Sequence, residues 1–353
     1  MKLIPLFIIT FLLIFTLFHT AASEPLVEIR SIFSDENTMD VTLQSGSEPV
    51  QGQVVFKLAH KGDIIETQTL DFDMKGYSGT TKIIMWETRP QFQNYVATAS
   101  IYVNGELKTE ASYPFSYGLV VLPRFQVVDL SASSSGVDLL LKPRSLSNPA
   151  VADFAFQLIR DGDIIYTETK ENIPVIQSSM VSINWPILLD DHTDYVVRVK
   201  AFSHTPDITS SYVTRFASGQ DVEIDDNDVD VDDFGVSVTL FGRSQVPFDG
   251  VVEVQLQTNG DDPQVFTEIP EVLTLNRDDT VGIIWDDMAP GTYYVYILVK
   301  TLDGEILDRY ETVLLIPERA VQVNQPTQSQ TPGFGVLMGI LGIIAVAEVI
   351  RNK

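Results

Sequence analysis

The chain has 353 residues and contains no cysteine. Disulfide bonds, thiolate nucleophiles and cysteine-ligated zinc or iron–sulfur sites are therefore excluded. Histidine is scarce, and His60, His192 and His204, which lie between the apolar ends, show no metal-ligand spacing. There is no Gly-x-Ser-x-Gly elbow, no glycine-rich phosphate loop and no His-Glu-x-x-His motif. These absences predict that the protein is not an enzyme and has no resident cofactor.

Positive charge is also in short supply. The chain has 23 lysines and arginines against 48 aspartates and glutamates, which gives a formal net charge of −25. Such a field repels nucleic acid and anionic lipid headgroups. Nucleic acid is therefore excluded as a partner, whereas a hydrated surface that attracts cations is expected.

The first apolar segment is typical of an export signal. Lys2 precedes a nearly unbroken apolar run from Leu3 to Phe18, and small residues follow up to Ser23. This order of a charged start, an apolar centre and a small-residue cleavage site predicts a signal peptide at residues 1–23, with its apolar part helical. An uncleaved membrane anchor remains the alternative, because the run exceeds the usual length of roughly 7–15 residues.

A second apolar segment lies at the other end of the chain. Residues 334–350 are apolar apart from Glu348, and Arg351 and Lys353 follow. This length lies at the short end of the range of about 17–25 residues that span a bilayer as a helix. Because cationic flanks stay on the cytoplasmic side, the rest of the protein is expected to face outward.

Between these ends the sequence repeats three times. The only three tryptophans are Trp86, Trp185 and Trp285, which are spaced by 99 and 100 residues. Each follows a short strand-like run, and a tyrosine comes nine or ten residues later. A Gly-Asp turn precedes each tryptophan, at residues 62–63, 162–163 and 260–261. The predicted core markers are therefore Trp86, Trp185, Trp285, Tyr95, Tyr195 and Tyr294.

The sequence of each repeat predicts β structure throughout. The second shows period-two alternation, as in the run from Asp153 to Leu158, and turn residues punctuate it at short intervals. Its predicted strands are 125–130, 136–142, 151–160, 164–170, 180–185, 195–202 and 212–217. Seven short strands in such a length predict a two-sheet sandwich of the immunoglobulin or fibronectin type. The fold class is therefore all-β, with three tandem sandwiches whose tryptophans and tyrosines pack in the cores.

The period also predicts the domain boundaries. Residues 318–331 are polar and rich in Gln and Thr, so they cannot bury a core and are expected to form a flexible spacer. The predicted divisions are a signal peptide at 1–23, sandwiches at 24–118, 119–219 and 220–317, the spacer at 318–331 and a sorting or transmembrane segment at 332–353.

The C-terminal segment resembles a known sorting signal. The polar spacer is followed by Pro332-Gly333-Phe334, then by the apolar stretch and its cationic end. This arrangement is similar to the PGF-CTERM signal of archaeal cell-surface proteins. The resemblance implies an archaeal source and an archaeosortase that recognises Pro332, Gly333 and Phe334, removes the tail and allows a lipid anchor.

Two features of the tail depart from that family. Glu348 interrupts the apolar run, and the cationic end is sparse. A plain transmembrane anchor therefore stays open as the alternative. The β repeats are also loosely similar to the tandem adhesion-type, immunoglobulin-like domains that accompany such tails.

An acidic run opens the third repeat. Eight of the thirteen residues from Asp221 to Asp233 are acidic, and Asp228, Asp230 and Asp232 would share one face of a strand. Crowded carboxylate oxygens suit Ca²⁺, so these three residues are candidate calcium ligands. The alternative, which we favour, is a solvated acidic edge that discourages pairing with other strands.

These observations predict a membrane-tethered, extracellular protein of the cell envelope, with a structural or adhesive role. Its expected partners are the membrane, the processing enzyme, and proteins or glycans of the envelope, including a surface layer. The rival hypothesis is a substrate-binding or accessory subunit of a surface enzyme or of a secretion or pilus-like machine. A surface enzyme would require a concave site with converging polar groups, and no motif indicates one.

Overall fold

The computed structural model of the chain describes residues 25–118, 122–146, 150–258, 262–286 and 288–318. These residues form 21 β-strands and no helix, which confirms the all-β prediction for them. Consequently none of them belongs to a helix long and apolar enough to cross a bilayer. The predicted signal peptide, the spacer beyond Glu318 and the sorting segment with Pro332, Gly333 and Phe334 lie outside the described residues.

Sandwich 1 is formed by the first seven strands. A three-stranded sheet in the order β1-β2-β5 packs on a four-stranded sheet in the order β4-β3-β6-β7. The strands are β1 (Val27–Ser34), β2 (Thr38–Ser45), β3 (Val50–His60), β4 (Asp63–Met74), β5 (Gly79–Met85), β6 (Asn94–Val103) and β7 (Glu106–Ser116).

Sandwich 2 repeats this arrangement. Its three-stranded sheet has the order β12-β9-β8, and its other four strands follow the order β11-β10-β13-β14. All seven strands overlap those expected from the alternation of the sequence. They are β8 (Phe125–Ala132), β9 (Gly136–Pro143), β10 (Ala150–Arg160), β11 (Asp163–Val175), β12 (Ser179–Asn184), β13 (Asp194–His204) and β14 (Asp207–Ala217).

Sandwich 3 has the same plan, with sheets in the orders β15-β16-β19 and β18-β17-β20-β21. In all three sandwiches the fourth strand pairs with the third, whereas in constant-type immunoglobulin domains it joins the sheet of the first strand. The strands are β15 (Val222–Val231), β16 (Gly235–Gly242), β17 (Val251–Gln257), β18 (Gln264–Glu268), β19 (Asp278–Ile284), β20 (Gly291–Lys300) and β21 (Ile306–Ile316).

Each sandwich has its own hydrophobic core between its two sheets. Strand alternation explains how the cores form, since successive side chains point to opposite faces. In β13, Val197 and Val199 are fully buried in the core of sandwich 2, while Arg198 and Lys200 point to the other face of the sheet. That other face is where sandwich 2 meets sandwich 1.

Candidate functional site

The three tryptophans lie at one end of each core. Trp86, Trp185 and Trp285 are all buried. The Trp86 indole nitrogen donates to Ser34 Oγ at 3.1 Å, and the Trp185 nitrogen donates to the backbone oxygen of Ser133 at 2.9 Å. Ser34 is the last residue of the first strand of its sandwich, and Ser133 directly follows the first strand of the next. The Trp285 N–H is buried and has no acceptor among the described residues.

A buried tyrosine near the start of the sixth strand ties down the preceding loop. The Tyr95 hydroxyl accepts a hydrogen bond from the Gln91 N–H at 2.9 Å, and the Tyr195 hydroxyl accepts one from the Asp190 N–H at 3.1 Å. This resembles the tyrosine corner of immunoglobulin-like sandwiches, in which the hydroxyl bonds to backbone a few residues upstream.

The prediction that Tyr294 is the core marker of the third repeat is wrong. Tyr293 is buried and its hydroxyl donates to the Ala289 oxygen at 2.9 Å, whereas Tyr294 is 40% exposed. The loop after Trp285 is shorter than in the other repeats, so the corner tyrosine comes eight residues after the tryptophan. Alternation then turns its neighbour Tyr294 to the outer face of the sheet.

The structure does not bring the candidate calcium ligands together. Strand β15 ends at Val231, and the Asp232 carboxylate accepts from the N–H groups of Phe234 and Gly235 in the following turn. The Asp228 carboxylate accepts from Thr239 Oγ1 at 2.6 Å, and Asp230 is exposed. Within the described ranges, no group of three acidic or histidine side chains is placed to hold a metal ion.

One sheet of sandwich 1 and one sheet of sandwich 2 are joined edge to edge by a residue pair. Asp163 of β11 pairs with Lys82 of β5, and the Ile83 N–H donates to the Gly162 oxygen at 2.9 Å. The Lys82 ammonium also lies 2.7 Å from the Asp163 carboxylate. The two edges therefore join into a seven-stranded sheet in the order β1-β2-β5-β11-β10-β13-β14.

The candidate functional site is the charged cluster at this junction, formed by Asp40, Arg198 and Lys200. Asp40 Oδ2 lies 2.7 Å from Arg198 Nη1 and 2.9 Å from Lys200 Nζ. In a flat sheet the strands that carry these residues would be about 19 Å apart, at roughly 4.8 Å per strand. The shared sheet must therefore bend sharply, so that the outer face of sandwich 1 covers that of sandwich 2.

Burial makes this cluster different from an ordinary surface ion pair. The side chains of Arg198, Asp40 and Lys200 are 1%, 6% and 14% exposed. Arg198 also donates through Nε to Gln157 Oε1 at 2.8 Å, and the Lys200 ammonium lies 4.1 Å from the centre of the Phe33 ring. Buried charges are tolerated only when they are paired and hydrogen-bonded in this way.

Two ionisable groups in or near the cluster have shifted pKa values. Burial lowers the pKa of Lys200 below its usual value, and the nearby Asp40 carboxylate only partly opposes that shift. Burial, followed by the negative charges of Asp35 and Asp40, raises the pKa of the Tyr113 phenol. Burial is the largest cause of both shifts.

A second set of bonds holds the end of sandwich 1 to the last strand of sandwich 2. The Ser211 N–H donates to Asp35 Oδ2 at 2.6 Å and the Ser211 hydroxyl donates to Asp35 Oδ1 at 2.8 Å. The Asn37 amide donates to the Ser211 backbone oxygen at 2.9 Å. Side chains of sandwich 1 thus satisfy both backbone groups of one residue in β14.

Sandwiches 2 and 3 meet through a different contact. The Gln245 N–H donates to the Ser134 oxygen at 3.1 Å, and the Leu189 N–H donates to the Gln245 oxygen at 3.1 Å. Gln245 also donates through its side-chain amide to the Trp185 oxygen. The next residue, Val246, belongs to the β16–β17 loop of sandwich 3, yet it is 2% exposed and packs in the core of sandwich 2.

Comparisons with known proteins give no family. No protein-family model matches the chain, and no curated protein sequence matches it. Among solved structures, the tetra-tandem repeat in the extending region of a large adhesion protein is 14% identical. That match covers 82% of this chain and 73% of the other, with a TM-score of 0.24.

Red sea bream transglutaminase is 10% identical over 56% of this chain, with a TM-score of 0.27. The chain spans only about a third of that enzyme, 32% of its length. Neither similarity carries a conclusion about function.

The residues at the junctions between sandwiches could not be identified from the sequence. Asp35, Asp40, Arg198, Lys200 and Val246 lie in different repeats, and no local motif links them. The sequence contains one indication of the junction. Arg198 and Lys200 occupy outward-facing positions of a largely apolar strand, in a chain with few cations. The arrangement they form holds neighbouring sandwiches together.

Proposed function

We propose that the protein is a membrane-tethered, extracellular structural or adhesive component of the cell envelope, and that it is not an enzyme. The observation that supports this proposal is that specific contacts hold neighbouring sandwiches together. Buried charge pairs join sandwiches 1 and 2, and an inserted valine joins sandwiches 2 and 3. A structural role in an envelope requires domains that keep fixed positions relative to one another. Independent domains on flexible linkers would not keep such positions.

Further support comes from the ends of the sequence and from one surface. The apolar segments at residues 3–18 and 334–350 are those expected of an exported and anchored chain. At one end of sandwich 1, Phe92 is 71% exposed and stacks on Tyr117 with ring centres 5.3 Å apart. An exposed aromatic stack is suited to contact with envelope glycans or proteins.

The proposal includes processing at both ends. In it, the signal peptide is removed after Ser23 and the tail is recognised at Pro332, Gly333 and Phe334 by an archaeosortase-type enzyme. A retained transmembrane helix is the alternative form of the same tether. The membrane is thus a partner in either case.

Mass spectrometry of the mature protein, isolated from the membranes of its native host, tests the tether. We expect a chain that begins at Glu24 and whose tail is clipped near residue 332 and replaced by lipid. A Phe334→Ala variant should keep its tail, and a Phe92→Ala variant should be processed normally. Recovery of the chain from the cytosol with residues 1–23 intact would contradict the proposal.

A further inference from the structure

One end of sandwich 3 has an open cavity of about 810 Å³ beside its tryptophan. Asp233, Phe234, Trp285, Asp286 and Met288 line it, and we call it the Trp285 cavity. Trp285 is only 4% exposed, and its indole N–H has no acceptor among the described residues. Buried donors in proteins are normally hydrogen-bonded. An occupant of the cavity that brings a backbone or side-chain oxygen would satisfy this donor.

The three sandwiches have the same local structure at their tryptophan ends. In each of them the backbone N–H of the tryptophan donates to the oxygen of the residue just before the second strand. The pairs are Trp86 with Asn37 at 3.0 Å, Trp185 with Ser135 at 3.1 Å and Trp285 with Phe234 at 3.1 Å. The contacts at the tryptophan ends of sandwiches 1 and 2 can therefore be compared directly with the Trp285 cavity.

In sandwiches 1 and 2 a later part of the chain covers the tryptophan end. The Asn37 side-chain amide donates to the backbone oxygen of Ser211 in sandwich 2. At the end of sandwich 2, the Gln245 N–H of sandwich 3 donates to the Ser134 oxygen, and Val246 packs in the core of sandwich 2. The tryptophan end is thus the place where each of these two sandwiches contacts a segment that follows it in the sequence.

The chain leaves sandwich 3 at the rim of the Trp285 cavity. Its last strand ends at Ile316, and Ile316, Pro317 and Glu318 all line the cavity. The next five residues, 319–323, are Arg-Ala-Val-Gln-Val. They end in a Gln-Val pair, like the pair that covers the end of sandwich 2. Five extended residues reach about 17 Å, which is enough to cross a cavity of this volume.

Charge also favours this segment as the occupant. The charged side chains that line the Trp285 cavity are Asp233, Asp286 and Glu318, which are all acidic. Arg319 is the only cation within residues 310–350, and it directly follows Glu318, so its guanidinium can pair with these carboxylates. A second copy of the chain, with its net charge of −25, would be repelled from the same rim.

We propose that residues 319–323 of the same chain fill the Trp285 cavity. Val323 packs beside Trp285 and Met288, as Val246 packs in the core of sandwich 2, and a backbone oxygen of the segment accepts from the Trp285 indole N–H. The predicted flexible spacer then begins after Val323, and all three sandwiches are closed at their tryptophan ends. This inference does not depend on the proposed tether or on how the tail is processed.

The absence of cysteine allows a direct test by disulfide formation. In the full chain, held in detergent micelles, Met288→Cys combined with Val323→Cys introduces one pair of thiols. A disulfide requires β-carbons about 3.5–4.5 Å apart, so we expect oxidation to link this pair within one chain. The matched control is Ile284→Cys combined with Val323→Cys, because Ile284 is next to Trp285 but is 82% exposed. A segment that fills the cavity should link several-fold less to this control position.

Hydrogen exchange followed by mass spectrometry gives a second readout, on the chain without cysteines. Relative to their intrinsic rates, the backbone amides of residues 319–323 should exchange several-fold more slowly than those of residues 327–331. Val323→Asp should abolish this difference, whereas Gln328→Asp should leave it unchanged. Equal linking of the two cysteine pairs, a disulfide-linked product of twice the chain mass as the main species, or equal exchange of the two segments would each overturn the proposal.

Discussion

At the scale of single residues, the corner tyrosines show how one hydroxyl group fixes a loop. Tyr95, Tyr195 and Tyr293 each bring a buried ring into the core and a hydroxyl to the backbone of the loop before it. The neighbouring Tyr294 has no such role, because its ring lies on the outer face of the sheet.

The two adjacent tyrosines can be separated by experiment. Tyr293→Phe removes the hydrogen bond to the Ala289 oxygen, so the free energy of unfolding of sandwich 3 should fall by about 1 kcal/mol. Tyr294→Phe should change it by less than about 0.5 kcal/mol, as is usual for surface substitutions. Urea unfolding followed by tryptophan fluorescence measures both. Equal effects of the two substitutions would show that the corner bond contributes nothing.

These residues also show where sequence patterns stop being informative. The spacing of the tryptophans correctly placed three buried indoles, because core positions depend on strand alternation within one repeat. The choice between Tyr293 and Tyr294 depends on the length of a loop, which no pattern encodes. The alternating acidic run fails as a metal site for a similar reason, since the register shifts between Ile224 and Val229 and the strand ends before Asp232.

At the scale of elements, the junction of sandwiches 1 and 2 depends on one carboxylate that serves two cations. Asp40 stands on β2, and its partners Arg198 and Lys200 stand on β13 of the next sandwich. Such a pair gives little net stability when it forms, but it is costly to break because the remaining charges stay buried.

Removal of the negative charge tests this asymmetry. Asp40→Asn removes the carboxylate that pairs with Arg198 and Lys200, so the free energy of unfolding should fall by about 3–5 kcal/mol. The matched control is Asp138→Asn, the same substitution at an exposed strand position, which should be nearly neutral. Urea unfolding of the full chain measures both. A loss no larger than that of the control would mean that the cluster is solvated in solution.

In the second repeat, the individual strands were predictable, because alternation and turn residues are local signals. All seven strands of sandwich 2 overlap their expected positions. The pairing of β5 with β11 was not predictable, since Lys82 and Asp163 are 81 residues apart and the contact depends on how two finished sandwiches meet. The same holds for the charged cluster, whose residues also lie in two different repeats.

At the scale of the whole molecule, the insertion of Val246 makes the core of sandwich 2 depend on sandwich 3. Val246 is part of a loop in sandwich 3, but its side chain is buried among residues of sandwich 2. The folding of the two sandwiches should therefore be coupled, because the core of sandwich 2 is incomplete until the loop of sandwich 3 is in place.

Truncation of this side chain should weaken that coupling. Val246→Ala removes about two methylene equivalents at about 0.8 kcal/mol each and leaves a cavity, so we expect a loss of about 2 kcal/mol. Calorimetry of the full chain should show the transition of sandwich 2 at a lower temperature and separated from that of sandwich 3. Val272→Ala, at a residue of sandwich 3 that is 63% exposed, is the control and should leave both transitions in place. Unchanged transitions in Val246→Ala would mean that the sandwiches unfold independently and that the inserted valine does not hold them together.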